Sequence, residues 1–172
     1  ISGQLLGPQG LPATGVRIRP YRVVKFERGR SLAEAMAGAK WIRDVEQVGW
    51  PVLEVKVSSE SLLPWVETDQ DGRFTVDSVG PDQLVGLFAI SELFAATTIV
   101  VRTDEGLAST IGTERGEPDI EVHPRTGFQH TVASSTPIIG RVIAVDTGAA
   151  VSGATVSPWR APGFGFHRAE EL

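Results

Sequence analysis

The segment "ETDQDGRFTVDSVGP", Glu67–Pro81, decides between two kinds of protein. Its acidic residues at positions 67, 69 and 71, followed by Gly72, match the first half of an EF-hand calcium loop. Such a loop ends on a bidentate carboxylate at its twelfth position, which is Ser78 here. Pro64 precedes the segment, and alternating β-branched residues follow it, as is typical of strands. We therefore predict a tight hairpin-type turn at Asp71-Gly72 between two strands, and no calcium site.

The composition favours the same interpretation. The chain has 19 Gly and 11 Pro among its 172 residues, with many Val, Ile and Thr, and therefore predicts short strands separated by turns. The net charge is −5 and the basic residues are scattered, so we expect no nucleic-acid partner. The absence of Cys excludes disulfides and thiolate metal sites. The apolar stretches are too short for a membrane span, and a chain that opens at Ile1 suggests a piece of a longer protein.

Two segments of the chain resemble each other. They are "ISGQLLGPQGLPATGVRIRPYR" at the start and "IIGRVIAVDTGAAVSGATVSPWR" from Ile138. Gly3, Gly15, Pro20 and Arg22 of the first align with Gly140, Gly153, Pro158 and Arg160 of the second, with one residue inserted in the second turn. The repeat predicts a complete unit at residues 1–132, a linker at 133–137 and an incomplete second unit at 138–172. Because two or three strands cannot fold alone, we expect the second unit to add its strands to the first unit, to the remainder of a longer chain, or to a second copy in a homodimer.

One helix is predicted inside the first unit, at about residues 31–48. Ser31 and Glu34 form a capping box, and the stripe of residues 32, 35, 36, 39 and 42 is apolar. A second apolar stripe contains Trp41, Val45 and Val48 and is either covered by other parts of the chain or a partner surface. Trp50 and Trp65 flank the insert. Trp41, Trp50 and Trp65 are therefore the candidate interaction surface.

Few residues suggest chemistry. Glu121 and His123 share one face of a strand and His130 is near in sequence, so the three could hold a divalent ion. A strand with an exposed polar face explains the same pattern, and we predict no metal and no cofactor. The sequence lacks G-x-S-x-G, Walker and dinucleotide-binding patterns. The chain is therefore predicted not to be an enzyme.

The motifs as a whole resemble the carboxypeptidase regulatory-like domain. Its pattern of G-x-V, a turn with Gly, and G-A-x-V is matched by Gly140, Val142, Thr147-Gly148 and the stretch 153–156, and its T-D-x-x-G-x-F pattern is matched by residues 68–74. The resemblance implies a mainly β, transthyretin-like (prealbumin-like) Greek-key β-sandwich, often arranged in tandem in bacterial extracytoplasmic proteins. The predicted helix is an insertion relative to that pattern.

The resemblance also implies an accessory role. We expect a non-catalytic structural or protein-interaction module of a larger, extracytoplasmic bacterial protein, whose partner is another protein or the rest of its own chain. An alternative is a carbohydrate- or peptide-binding module that uses the Trp-bearing insert. An unrecognised hydrolase is the third interpretation.

Overall fold

The computed structural model describes most of the first three quarters of the chain and a short segment after it. The described residues are 1–26, 31–40, 42, 44–45, 50–54, 64–77, 79–113, 119–136 and 139–155, with the backbone alone for 50–54.

The described chain forms ten strands and one helix. In order they are β1 (Ser2–Leu6), β2 (Arg17–Lys25), α1 (Leu32–Gly38), β3 (Trp50–Glu54), β4 (Val66–Glu67), β5 (Arg73–Thr75), β6 (Gln83–Ile90), β7 (Thr97–Arg102), β8 (Ser109–Ile111), β9 (Ile120–His123) and β10 (Thr126–Thr131). The short strand β8 was not predicted. None of the helical segments in the described ranges has the length and apolar character needed to cross a membrane.

The strands form two mixed sheets. The three-stranded sheet has the order β10-β1-β5, with β1 parallel to β10 and antiparallel to β5. The seven-stranded sheet has the order β3-β2-β6-β7-β9-β8, and β4 also pairs with β2. In it, β7 and β9 run parallel and the other pairs run antiparallel. The described fold is therefore mainly β with one helix, which confirms the predicted β-sandwich class.

Two hydrophobic clusters lie on opposite faces of the seven-stranded sheet. The first fills the space between the sheets and includes Leu5, Phe74 and Phe128 from the small sheet with Ile18 and Val101 from the large one. The second lies between the large sheet and the helix and consists of Val24, Phe26, Leu32, Val45, Leu84, Val100, Ile111 and Val122. Because neighbouring residues of a strand point to opposite faces, Val100 and Val101 contribute to different clusters. Strands buried on both faces require near-continuous apolar runs, and β6 and β7 have them.

A bulge in β2 keeps that strand in phase with both clusters. Ile18 and Val23 both belong to the cluster between the sheets, although they lie an odd number of positions apart. The register with β6 shifts between Pro20 and Arg22, so that Tyr21 is the extra residue. Gly86 of β6 leaves room for the Tyr21 ring, because a Cβ at Gly86 would lie 2.7 Å from Tyr21 Cε1.

The helix begins as predicted and ends earlier. The Ser31 side chain accepts a hydrogen bond from the Glu34 N–H at 3.2 Å, and Glu34 accepts one from the Ser31 N–H at 2.9 Å. Ala39 then adopts an extended conformation, so the continuous helix predicted through residue 48 is wrong at that point. Ile42, Asp44 and Val45 are helical again. The break lets Val45, which was expected on a second stripe, pack into the same cluster as Leu32.

Two hairpin-like segments have matching backbone hydrogen bonds. In the first, Ala13 N–H donates to the Leu5 carbonyl at 2.9 Å, Gly7 N–H donates to the Leu11 carbonyl, and Leu6 bridges Pro12. In the second, Val151 N–H donates to the Val142 carbonyl at 3.0 Å, Ala144 N–H donates to the Ala149 carbonyl, and Ile143 bridges Ala150. Left-handed glycines lie at equivalent places, at positions 10 and 148 within the segments and at positions 15 and 153 just after them. We call these segments hairpin 5–13 and hairpin 142–151.

Candidate functional site

The segment that resembles the first half of a calcium loop forms a tight turn at residues 69–72. Gly72 N–H donates to the Asp69 carbonyl at 2.9 Å, and Gly72 has a φ of 71°. The Asp69 carboxylate accepts hydrogen bonds from the N–H groups of Asp71 and Arg73, at 2.9 and 2.8 Å. The turn joins β4 of the large sheet to β5 of the small sheet, so it crosses between sheets and does not close a hairpin within one sheet. Ser78 lies outside the described residues.

The three predicted tryptophans are described unequally. Trp41 lies outside the described residues, and Trp50 is described only as the first backbone residue of β3. Trp65 is half-buried, and the guanidinium carbons of Arg17 and Arg19 lie 4.7 and 4.5 Å from its ring centroid. These cation–π contacts give the Trp65 ring a structural role on β2. A shared surface of the three tryptophans stays a prediction.

The structure brings together Glu121, His123 and His130, which we call the histidine cluster. Glu121 and His123 belong to β9 of the large sheet, and His130 belongs to β10 of the small sheet. One ligand atom of each side chain lies within 4.8 Å of the others. The strand alternation predicted the shared face of Glu121 and His123. The nearness of His130 in sequence only suggested the grouping, because the approach of its side chain depends on the short connection at residues 124–125, which carries the chain from one sheet to the other.

Packing fixes the orientation of the His123 ring. His123 is 1% exposed and stacks on Phe128, with 4.6 Å between ring centroids and an interplanar angle of 18°. Phe128 itself packs edge-on against Phe74 and covers Gly3, where a Cβ would lie 2.7 Å from Phe128 Cζ. Gly3 is thus needed for the close approach that seats Phe128, and Phe128 in turn supports His123.

The two imidazoles are in direct contact. His123 Nε2 and His130 Nδ1 lie 3.0 Å apart, so one ring donates an N–H to the other ring's lone pair. On the other side of its ring, His123 Nδ1 lies 3.6 Å from Glu121 Oε1. The Glu121 side chain is 60% exposed, so the cluster extends from the interior between the sheets to solvent.

Both histidines are held in the neutral form. Burial lowers the pKa of His123 below its ordinary value. Burial, together with the charge that His123 would carry, lowers the pKa of His130 to about 4, against a smaller opposing effect of Glu121. A neutral imidazole keeps one of its two ring nitrogens unprotonated. The lone pair of that nitrogen can bind a metal ion or accept a proton.

Comparisons with known proteins do not assign the chain to a family. No known family model matches the sequence, and no curated protein matches it. Among solved structures, the chain has a TM-score of 0.34 and 11% identity to 3-chlorocatechol 1,2-dioxygenase from Rhodococcus opacus 1CP, over 78% of this chain and 59% of that one. It has a TM-score of 0.30 and 13% identity to catechol 1,2-dioxygenase from Pseudomonas arvilla C-1, over 86% of this chain and 53% of that one. The chain thus spans little more than half the length of these enzymes, and overlap this weak supports no statement about its chemistry.

Proposed function

We propose that the chain is a non-catalytic structural or protein-interaction module of the carboxypeptidase regulatory-like kind, part of a larger extracytoplasmic bacterial protein. The observation that carries the interaction role is hairpin 142–151. It has a formed backbone but places its apolar side chains in solvent. The family and the location rest on the sequence resemblance described above.

The contrast with hairpin 5–13 supports this role. Leu5 and Ala13 are fully buried, whereas Val142 and Val151, at the equivalent places in the hydrogen-bond pattern, are 41% and 45% exposed. Ile143 and Val145 are more exposed still. An apolar surface of this kind on an ordered segment is typical of a contact surface.

Hairpin 5–13 is covered by other parts of its own unit. Leu5 N–H donates to the Gly72 carbonyl at 2.8 Å, and Phe74 of β5 packs in the same cluster as Leu5. The covering element is therefore a turn and a strand edge of the same unit. By analogy, hairpin 142–151 would bind a strand edge with an apolar face, supplied by another unit of its own chain, by a protein partner or by a second copy of the chain.

Self-association tests the proposal with the chain alone. We expect the protein at high concentration to form a dimer, measured by light scattering across a dilution series. The double variant Val142→Ser/Val151→Ser should stay monomeric. The matched control is Leu93→Ser/Leu107→Ser, which removes two apolar side chains that are 70% and 84% exposed elsewhere on the surface, and should not change the mass.

Two results would overturn the interaction role of this segment. One is a wild-type chain that remains monomeric at every concentration and does not bind a hydrophobic dye through hairpin 142–151. The other is a dimer that both double variants weaken equally, because such a dimer would depend on general surface hydrophobicity and not on the hairpin.

A further inference from the structure

We propose that the histidine cluster is a zinc site in which His123 and His130 bind one Zn²⁺ ion with Glu121 as the third ligand. The ion would connect β9 of the large sheet to β10 of the small sheet. Its role would be to lock the two layers of the sandwich together at one edge. The proposal is independent of the interaction role of hairpin 142–151.

The donor set matches the ion. Two imidazole nitrogens and one carboxylate oxygen are a common three-ligand set for Zn²⁺, with water completing the tetrahedron. Imidazole ligands favour zinc and its neighbours in the transition series over Ca²⁺ and Mg²⁺, which select oxygen ligands. The turn at Asp69, where one carboxylate oxygen already accepts two backbone N–H groups, offers no comparable set.

The two imidazole nitrogens would need to move only slightly to bind one ion. His123 Nε2 and His130 Nδ1 are 3.0 Å apart, close to the separation of two ligands that each lie about 2.0–2.1 Å from one zinc ion. The ion takes the place of the N–H···N hydrogen bond. The proton on that edge moves to the other nitrogen of its own ring, so each neutral imidazole keeps one proton and presents one lone pair to the metal.

Glu121 provides both the third ligand and the path for entry. Its Oε1 lies 3.6 Å from His123 Nδ1, on the opposite side of the ring from Nε2, and its side chain is 60% exposed, so a change of rotamer would bring the carboxylate to the ion without disturbing the core. The buried member of the set is already oriented by Phe128, as packing around a metal site orients its ligands. A packed His123 ring and an exposed carboxylate at the surface would therefore allow an ion to enter from solvent.

The experiment uses the full chain after treatment with a chelator. We expect calorimetric titration with ZnCl₂ to give one ion per chain and the melting temperature to rise by several degrees at saturating zinc. Co²⁺ should give the visible absorption of a nitrogen- and oxygen-ligated tetrahedral site. CaCl₂ should leave the melting temperature unchanged, and an equal rise with calcium would overturn the assignment.

Variants locate the site. Glu121→Gln should weaken zinc binding at least tenfold, and His130→Gln should abolish it. Two controls match these changes in chemistry. Glu105→Gln removes an exposed carboxylate elsewhere, and His167→Gln removes the third and last histidine of the chain. Both should bind zinc as the wild type does.

Two results would overturn the zinc assignment. Failure to bind zinc below millimolar concentration would end it, as would binding that survives His130→Gln but is lost in His167→Gln. If His130→Gln fails to fold, the comparison of Glu121→Gln with Glu105→Gln decides alone, because both positions are exposed and the substitution is nearly isosteric.

Discussion

Gly72 shows how one residue can determine a connection between two sheets. Its φ of 71° lies in the left-handed region, and a Cβ there would overlap the Leu5 carbonyl oxygen and lie 3.1 Å from the Ala13 nitrogen. The sequence predicted the positive φ from the Asp-Gly pair. It did not predict the contact with hairpin 5–13, because residues far apart in sequence create that contact only after the sheets have formed.

Gly72→Ala should therefore destabilise the protein by about 3 kcal/mol or more, the sum of left-handed strain and a backbone clash. Gly10→Ala is the matched control, because Gly10 has a φ of 76° but no neighbouring atom within 4 Å of the place that a Cβ would occupy. It should cost only about 1 kcal/mol. Urea denaturation of both variants gives the comparison. Equal losses would show that the contact with Leu5 contributes nothing.

Arg102 and Asp104 form an ion pair that makes the stability of the fold depend on pH. Arg102 Nε and Nη2 donate to the two Asp104 carboxylate oxygens at 2.6 and 2.5 Å, and both side chains are nearly buried. The hydrogen bonds from Arg102 hold the pKa of Asp104 below its ordinary value. A carboxyl whose pKa is lower in the folded state stabilises the fold above the unfolded pKa, and this contribution is lost as the pH falls through the folded pKa.

Asp104→Asn is expected to cost about 2–3 kcal/mol at pH 7, as the loss of hydrogen bonds to a charged group does. The difference from the wild type should narrow as the pH falls below about 4, the pKa of an unfolded Asp. Free energies of unfolding from urea titrations at several pH values measure this gap. Asp146→Asn, at an exposed position in hairpin 142–151, is the control and should leave the free energy of unfolding at pH 7 unchanged.

Local sequence signals predicted the helix start and most of the strands, because nearby residues determine these features. The capping box at Ser31 predicted the start of α1, and alternation predicted most of the strands. The helix end at Gly38 was missed because the apolar stripe continues through Ala39 and Ile42. The contact of Ile42 N–H with the Gly112 carbonyl, at 3.0 Å, belongs to tertiary structure. The three-residue strand β8 was also missed, because it is too short to show a period.

Asp82 connects the helix to the large sheet. Its Oδ1 accepts a hydrogen bond from Leu32 N–H at 3.0 Å, and its own φ of 54° is left-handed. Asp82→Ala should destabilise the protein by about 2 kcal/mol, from the lost hydrogen bond and the strain of Ala at that φ. Asp82→Asn keeps an acceptor oxygen and tolerates the conformation, so its thermal melt should stay close to that of the wild type. A large loss in Asp82→Asn would mean that charge, and not geometry, matters there.

The described residues form one layered body, and hairpin 142–151 follows it in the chain. The last strand of the body, β10, carries Phe128 into the core between the sheets, and Val132 N–H donates to the Leu6 carbonyl at 2.8 Å. Residues 133–135 still bond to the loop after β6, as Ser135 N–H donates to the Leu93 carbonyl. Within the described segment 139–155, the backbone hydrogen bonds join residues of that segment to each other. Composition and repeats suggested this division, but they could not show which apolar residues end up uncovered.

Truncation after Ser135 tests that division. Because Ile139 and Val145 are 92% and 103% exposed, their removal takes no apolar contact from the body, and the melting temperature should stay within about 2 °C of the wild type. The light-scattering mass should fall to that of a monomer, since the surface proposed to pair has been removed. Truncation after Arg125 is the contrasting control, because it also removes β10 with the buried Phe128 and Val132, and it should prevent folding. If the chain ending at Ser135 melts many degrees lower while remaining monomeric, the hairpin stabilises its own body and is not a surface for other chains.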